Sequence, residues 1–485
     1  MKLITIKRLL PIIAFALSKF SYSQEVPMVP RPVSGMLQYP NASDATEWLV
    51  NSPMLYNKRV DMMVSAPPQP LPTPNVELPT IDSVWLKDNA DLPANGVSNY
   101  DSSKAENGVT LLDLATRSIL IDINGKVLGK LPIGLANLFP DGTMLGAIPP
   151  VLIKLDSEMN LVWKIWASPH HEITTDENGS IYLLSSEEHD FMGLKVHFDL
   201  LKIFSPEGIL IYEWHVFDHL QDVVKVISKS AYLNTLHNAY DPEKEVSRYI
   251  AQDPERFFWH QIPVYSDTTS FEFTHLNSIQ VLPENEVSKK IPAFKKGNLL
   301  LSFNPYSCYG ILDTATGKIE WAGYLPERTT LHTPLLTATG TILVFQNSTQ
   351  SSLWPNKKTD GCLKYLHKII PAQNPSPEPT PRNWVSITEY DPVTNAKVWE
   401  YTANPKESLS AMYLGNAQRL SNGNTLICTT NGDGGQVFEV TPDKQIVWTY
   451  TSPHKNLGNN TPLSFYRAKR ISFDIAQKII PGFKK

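Results

Sequence analysis

His171, His275 and His332 are the residues of this chain best placed by type and spacing to do chemistry. Each stands just ahead of an apolar stretch, in the contexts His170-His171-Glu-Ile, Thr274-His275-Leu-Asn277-Ser-Ile and Leu331-His332-Thr-Pro-Leu-Leu. Imidazole at neutral pH can serve as a nucleophile, a general acid or base, or a metal ligand. Asn277 follows His275 by two residues, so strand alternation turns both side chains the same way and offers an amide donor to an anionic oxygen. A lone histidine is usually structural or exposed, and the remaining ones, His170 among them, are read so. Three at corresponding places in a repeat are different, because a closed array of repeats brings equivalent positions to one axis.

The repeat has two halves. One is an apolar strand, a turn and a second apolar strand, as in Ile173-Thr-Thr-Asp-Glu-Asn-Gly-Ser-Ile-Tyr-Leu-Leu. The other is a strand, an acidic or Ser/Pro turn and a strand bearing tryptophan, which recurs at Trp163, Trp214, Trp321, Trp399 and Trp448. Four strands per unit with a tryptophan on the last predict an all-β chain folded as a six-bladed β-propeller. These tryptophans are read as blade packing, not as a ligand cage. The sixth blade is expected to be split between the ends, with the run from Ser118 completed by the strand near Tyr466. Such closure would pair edges otherwise exposed.

Around this domain, expected over 111–480, the chain reads as a signal peptide at 1–23 and a proline-rich N-terminal extension at 24–110. Lys2, Lys7 and Arg8 precede an apolar run too short to span a bilayer, and the small-residue pattern ends at Ser23, as in a cleavable export signal. A periplasmic or secreted protein with no membrane span in the mature chain is expected. Insertions at about 216–270 and 349–383 should project from a propeller face. The net charge of −5 is small and the basic residues are scattered, which speaks against nucleic acid as a partner. Cys308, Cys362 and Cys428 have no paired metal-ligand spacing; an exported chain could close one disulfide and leave one thiol. Asn41, Asn178, Asn347 and Asn459 head glycosylation sequons, which matter only in a eukaryotic source.

Several stretches together resemble the bacterial arylsulfate sulfotransferases over roughly residues 115–475: His275-Leu-Asn277-Ser-Ile, Leu299-Leu-Leu-Ser-Phe leading to Asp313-Thr-Ala-Thr-Gly, His332-Thr with the strand from Gly340 to Asn347, and Asn416-Ala-Gln-Arg-Leu-Ser-Asn-Gly-Asn. The resemblance implies a six-bladed propeller that moves a sulfuryl group from a phenolic sulfate ester to a phenolic acceptor, with no diffusible cofactor and without PAPS. By motif His332 corresponds to the nucleophile that forms a sulfohistidine, and His171, His275 and Asn277 to the polar groups around the sulfuryl group. The family carries an arginine on the strand after the His-x-Asn motif, where this chain has Asn304, a neutral amide in the substrate-binding position. Two other functions fit the same residues: a propeller enzyme with a metal held by His171, His275 and His332, and a non-catalytic propeller that binds a ligand or protein through its insertions.

Overall fold

A computed structural model describes the chain at Leu86–Asp88 and from 95 to 480, except for 115–116, 192–193, 221, 224, 228–270, 273, 326–328, 349–382, 412, 432–433 and 457–462. The expected signal peptide, nearly all of the proline-rich segment, Cys362, Asn41, Asn459 and most of both insertions lie outside the described residues.

Six antiparallel sheets of four-stranded plan form the blades, each running from an innermost strand outwards. Blade 1 is β28 (Arg467–Ile471), β3 (Val109–Asp113), β4 (Ser118–Ile121) and β5 (Val127–Leu131). Blade 2 is β6 (Gly134–Leu138), β7 (Met144–Ile148), β8 (Val151–Leu155) and β9 (Leu161–Trp166). Blade 3 is β10 (His170–Thr175), β11 (Ile181–Phe191), β12 (Leu194–Phe204) and β13 (Leu210–His215), with β14 (Phe271–Glu272) added alongside β12. Blade 4 is β15 (Leu276–Val281), β16 (Leu299–Phe303), β17 (Cys308–Asp313) and β18 (Lys318–Tyr324). Blade 5 is β19 (Leu331–Leu336), β20 (Ile342–Gln346), β21 (Ser386–Tyr390) and β22 (Lys397–Tyr401). Blade 6 is β23 (Asn416–Arg419), β24 (Thr425–Asn431), β25 (Gly434–Val440) and β26 (Ile446–Thr451). The expected closure is the one seen: β28 supplies the inner strand of a blade whose other strands come from the start of the domain.

The chain joins this ring earlier than the boundary expected near 110. β2 (Val97–Tyr100) pairs with the outer strand of blade 6, and β1 (Leu86–Asp88) with β27 (His454–Asn456). A strand laid along an outer edge removes one of the exposed edges a propeller otherwise leaves.

Six apolar clusters, one per blade junction, hold the ring together. Where a middle strand is covered on both sides, as in β16 and β20, it is apolar at nearly every position rather than at alternate ones. In β20, Leu343 and Phe345 pack with Ile427 and Phe438 of blade 6, while Ile342 and Val344 pack with Leu300 and Ile311 of blade 4. Leu112 and Ile119 of blade 1 meet Trp448 of blade 6, which closes the circle.

The repeated tryptophans staple successive blades. Trp214 Nε1 donates to Gly317 O at 2.9 Å, Trp399 Nε1 to Pro442 O at 2.8 Å and Trp448 Nε1 to Ile123 O at 2.7 Å, each acceptor lying in an outer turn of the following blade. An indole satisfies its one polar atom this way while burying its large apolar face. Cys308 and Cys428 sit buried in blades 4 and 6 as thiols, so they do not pair with each other. Of the sequons, Asn178 is exposed in a turn, whereas Asn347 is fully buried and closed to a glycan.

Candidate active site

All six inner strands run the same way, so their first residues gather at one end of the central channel. An inner strand has a neighbour on one side only, and its free N–H and C=O groups need partners from elsewhere. Side chains of the adjoining blades provide them. Asp113 Oδ1 accepts from Leu135 N at 3.0 Å, Asp199 Oδ2 from Leu276 N at 2.9 Å and Asn304 Oδ1 from Leu331 N at 2.9 Å. Asn416 makes both bonds at once, donating to Ala468 O and accepting from Ala468 N, each at 2.8 Å. The polar residues at the strand starts are thereby fixed by the neighbouring blades.

The histidines stand on this frame. His332, the second residue of β19, pairs with Phe345 and precedes a bulge at which Thr333 has φ +45°. Pro334 follows inside that bulge, where no ladder N–H is required. In β10 the bulge falls between His170 and Ile173, and His171 has φ +52°. His275 comes immediately before β15, with φ +42°. In register, His332 therefore matches His170, not His171; the bulges bring the rings together rather than strict equivalence. The His171 and His275 rings are 4.6 Å apart, edge to face, and the His170 ring is 5.1 Å from His171. His332 lies close enough that its charge would disfavour protonation of His171.

His332 is 5 % exposed, and burial holds its imidazole down to about 4, so it is neutral at pH 7. Its Nδ1 lies 2.6 Å from Asn347 Oδ1. Asn347 Nδ2 donates to Leu414 O at 2.9 Å, and since that carbonyl can only accept, the amide oxygen must face the histidine. Asn347 is also tied through its backbone, with N donating to Thr330 O and O accepting from Thr329 Oγ1. Nδ1 of His332 thus carries the proton, and Nε2 is left with its lone pair.

Asn277 and Asn304, at 2 % and 4 % exposure, both reach the residue before His332. Asn277 Nδ2 donates to Leu331 O at 2.8 Å, and its Oδ1 accepts from the Ser302 hydroxyl. Asn304 Oδ1 takes the N–H of Leu331, a role no arginine could fill because guanidinium has no acceptor. The two amides clamp the strand of His332 from blade 4.

Sequence reasoning passed over four residues of this site. Asp199 accepts from the Thr274 hydroxyl and from Leu276 N, the two neighbours of His275, and its Oδ1 lies 3.5 Å from His170 Nε2. Burial raises its carboxyl above the ordinary value, and the histidines beside it oppose that rise. An acid inside the apolar run of β12 was the one signal for it. His170 itself belongs to the site, turned inward by the bulge. Asn347 looked like a strand end. Tyr466, whose Oη lies 2.7 Å from His171 Nδ1, is 295 residues away in the chain and had no local signal.

Behind these groups, Arg467 is 3 % exposed between Asp113, at 3.2 Å, and Glu172. Among the described residues, no group of three or more His, Cys, Asp or Glu side chains is arranged to hold a metal ion, and no helix is long and apolar enough to cross a membrane.

Similar solved structures share little sequence with this chain. A protein of unknown function from Bacteroides caccae is 11 % identical with a TM-score of 0.40, over 75 % of this chain and 98 % of that one. Dihydro-heme d1 dehydrogenase NirN in complex with DHE is 12 % identical with a TM-score of 0.31, over 88 % and 69 %. The β-propeller domain of Cps50 (Swd1) from Myceliophteria thermophila is 9 % identical with a TM-score of 0.36, over 74 % and 90 %. No curated protein matches the sequence. The arylsulfotransferase (ASST) family profile matches residues 151–453, more than half of the chain and the whole span from the third strand of blade 2 to the outer strand of blade 6, and the chain belongs to that family.

Proposed function

We propose that this protein is an exported arylsulfotransferase that carries a sulfuryl group on His332, taking it from a phenolic sulfate ester and giving it to a phenolic acceptor without PAPS. The single observation that carries the reading is the Asn347–His332 hydrogen bond. It leaves a neutral imidazole with its Nε2 lone pair free, the form a nucleophile requires. Nε2 attacks sulfur, the bond from sulfur to the aryl oxygen breaks, and the departing phenolate takes a proton. An acceptor phenol then attacks the same sulfur, gives up its proton, and the sulfur–nitrogen bond breaks to restore His332.

Supporting groups lie where charge changes hands. His171 and His275 can donate hydrogen bonds to the sulfuryl oxygens or to the leaving oxygen, the role played by fixed donors around any anionic transition state. Asn277 and Asn304 hold the strand that aims His332. Export fits the basic, apolar and small-residue succession of the first 23 residues.

The test is to incubate the purified protein with 4-nitrophenyl sulfate and a phenol. Phenol release, transfer to the acceptor and an acid-labile adduct of one sulfuryl group on His332, all absent in His332→Ala, are expected. A wild-type protein that releases no phenol from a broad panel of aryl sulfates would overturn the reading.

A further inference from the structure

The two histidines on either side of His275, His332 buried and His171 partly buried, are held by different kinds of partner. Asn347 presents an acceptor to His332 Nδ1. Tyr466 presents a phenol to His171 Nδ1 at 2.7 Å, with the two rings stacked at 6.1 Å and inclined by 27°.

Tyr466 is placed firmly. It immediately precedes β28, its N–H donates to Asp113 O at 2.7 Å, and its carbonyl accepts from Gly415 N at 3.2 Å. Its side chain reaches from blade 1 to blade 3. Among the described residues the phenol oxygen has no hydrogen-bond partner other than His171. Tyr466 is partly buried, and His171 Nδ1 is the one acceptor its hydroxyl reaches among the described residues, so the O–H donates there. Burial and the carboxylates of Glu172 and Asp113 hold the phenol in its protonated form, against the pull of Arg467.

His171 is neutral for equally local reasons. It is partly buried and desolvated, and His275, His170, His332 and Arg467 all surround it with actual or potential positive charge. A neutral imidazole has one N–H. If Nδ1 accepts from Tyr466, that N–H is on Nε2.

We infer that Tyr466 is a positioning residue that fixes His171 as the Nε2–H tautomer, so that His171 faces the substrate as a hydrogen-bond donor while Asn347 fixes His332 as the opposite, lone-pair tautomer. Tyrosine and asparagine thereby divide two chemically identical side chains into donor and nucleophile. Resting on the sulfuryl-transfer reading above, the donor's target is the aryl oxygen on which negative charge grows as its bond to sulfur breaks. No proton need leave His171: the hydrogen bond strengthens as charge develops, and the phenolate is protonated by solvent on release.

Two measurements decide it. In protein labelled with 15N-histidine, His171, assigned by its loss in His171→Gln, should show a protonated Nε2 and an unprotonated Nδ1. Tyr466→Phe keeps the ring and removes the hydroxyl, and should turn that signal into a tautomer mixture. In a series of aryl sulfates, Tyr466→Phe should lower kcat by about a hundredfold for phenyl sulfate and hardly at all for 4-nitrophenyl sulfate, whose leaving group needs little help. A protonated Nδ1 in the wild type overturns the tautomer assignment. A rate loss that is uniform across leaving groups reduces Tyr466 to a structural residue and overturns the role. If the wild type turns over no aryl sulfate at all, the sulfuryl-transfer reading and the leaving-group role fall together, and the nitrogen signals alone still decide the tautomer.

Discussion

Replacing Asn347 by leucine removes the two side-chain hydrogen bonds that set the state of the proposed nucleophile and keeps the two backbone bonds that hold the strand end. His332 Nδ1 loses its 2.6 Å acceptor and Leu414 O its 2.9 Å donor. His332 is buried and Leu414 partly so, and an unsatisfied buried polar group costs about 1–3 kcal/mol, so Asn347→Leu should lower stability by about 2 kcal/mol. The effect on rate has a separate origin. Without a fixed acceptor the imidazole can move its proton to Nε2 and rotate, and either change withdraws the lone pair from sulfur. Loss of tautomer control in a triad with a charged partner costs about 10⁴ in rate. A neutral amide contributes less charge stabilisation, and a loss of about a hundredfold, or about 2.7 kcal/mol of barrier, is expected for Asn347→Leu. The assay is a rapid-quench measurement of the phenol burst with 4-nitrophenyl sulfate, alongside intact mass for the His332 adduct and denaturant unfolding for stability. A folded Asn347→Leu protein with a wild-type burst rate would show that Asn347 does not set the state of His332, and the nucleophile argument would fail.

Three further outcomes follow from the buried ionisable groups. Formation of the His332 adduct should be level from pH 8 to about 5 and fall as pH drops through about 4, where the imidazole protonates. The folded protein then binds fewer protons than the unfolded chain between about 4 and the ordinary histidine value of about 6.5, so stability rises with pH across that window, by about 3 kcal/mol from His332 alone; His171 shifts in the same direction, and urea midpoints at pH 4.5 and 7 check the sign. Arg467→Leu strands Asp113 and Glu172 without their shared cation and should cost about 3–5 kcal/mol, read as a fall in Tm. Adding Asp113→Asn and Glu172→Gln to it should recover most of the loss, and failure to do so would place the effect in packing rather than in charge.

The blades were legible because packing constrains them repeatedly: an outer tryptophan covers the next blade's turn, and middle strands covered on both sides, such as β16 and β20, are apolar at nearly every position. Closure by the strand after Tyr466 was legible for a related reason, since an incomplete blade at one end calls for a strand from the other. The site was legible only in part. His171, His275 and His332 could be grouped by their place in the repeat, yet strict alternation would have turned His170 away from His171; the positive φ at His171 and the bulge to Ile173 undo that count. Asn304 illustrates a different limit. As a letter in the sequence it reads as an arginine lost, whereas in the fold its carbonyl holds an N–H that arginine could not, so its meaning depends on a partner in the next blade. Tyr466 acts through a contact set by ring closure and Asn347 through one across the hairpin of its own blade, and nothing within a few residues of either announces the role.

The strand that locks the ring has a temporal meaning as well. Arg467 and Asp113 are 354 residues apart, and their pairing brings together distant parts of the chain at a high entropic cost of loop closure. Blades 2 to 6 can assemble from neighbouring segments, but β28 can dock only on a nearly finished circle, and Tyr466 and Arg467 arrive with it. A partly folded chain can own every histidine and still lack the partner that makes His171 a donor. Completion of the ring and the assignment of His171 as donor are then coupled, whereas the Asn347–His332 pair lies within blade 5 and needs no strand from the far end of the chain.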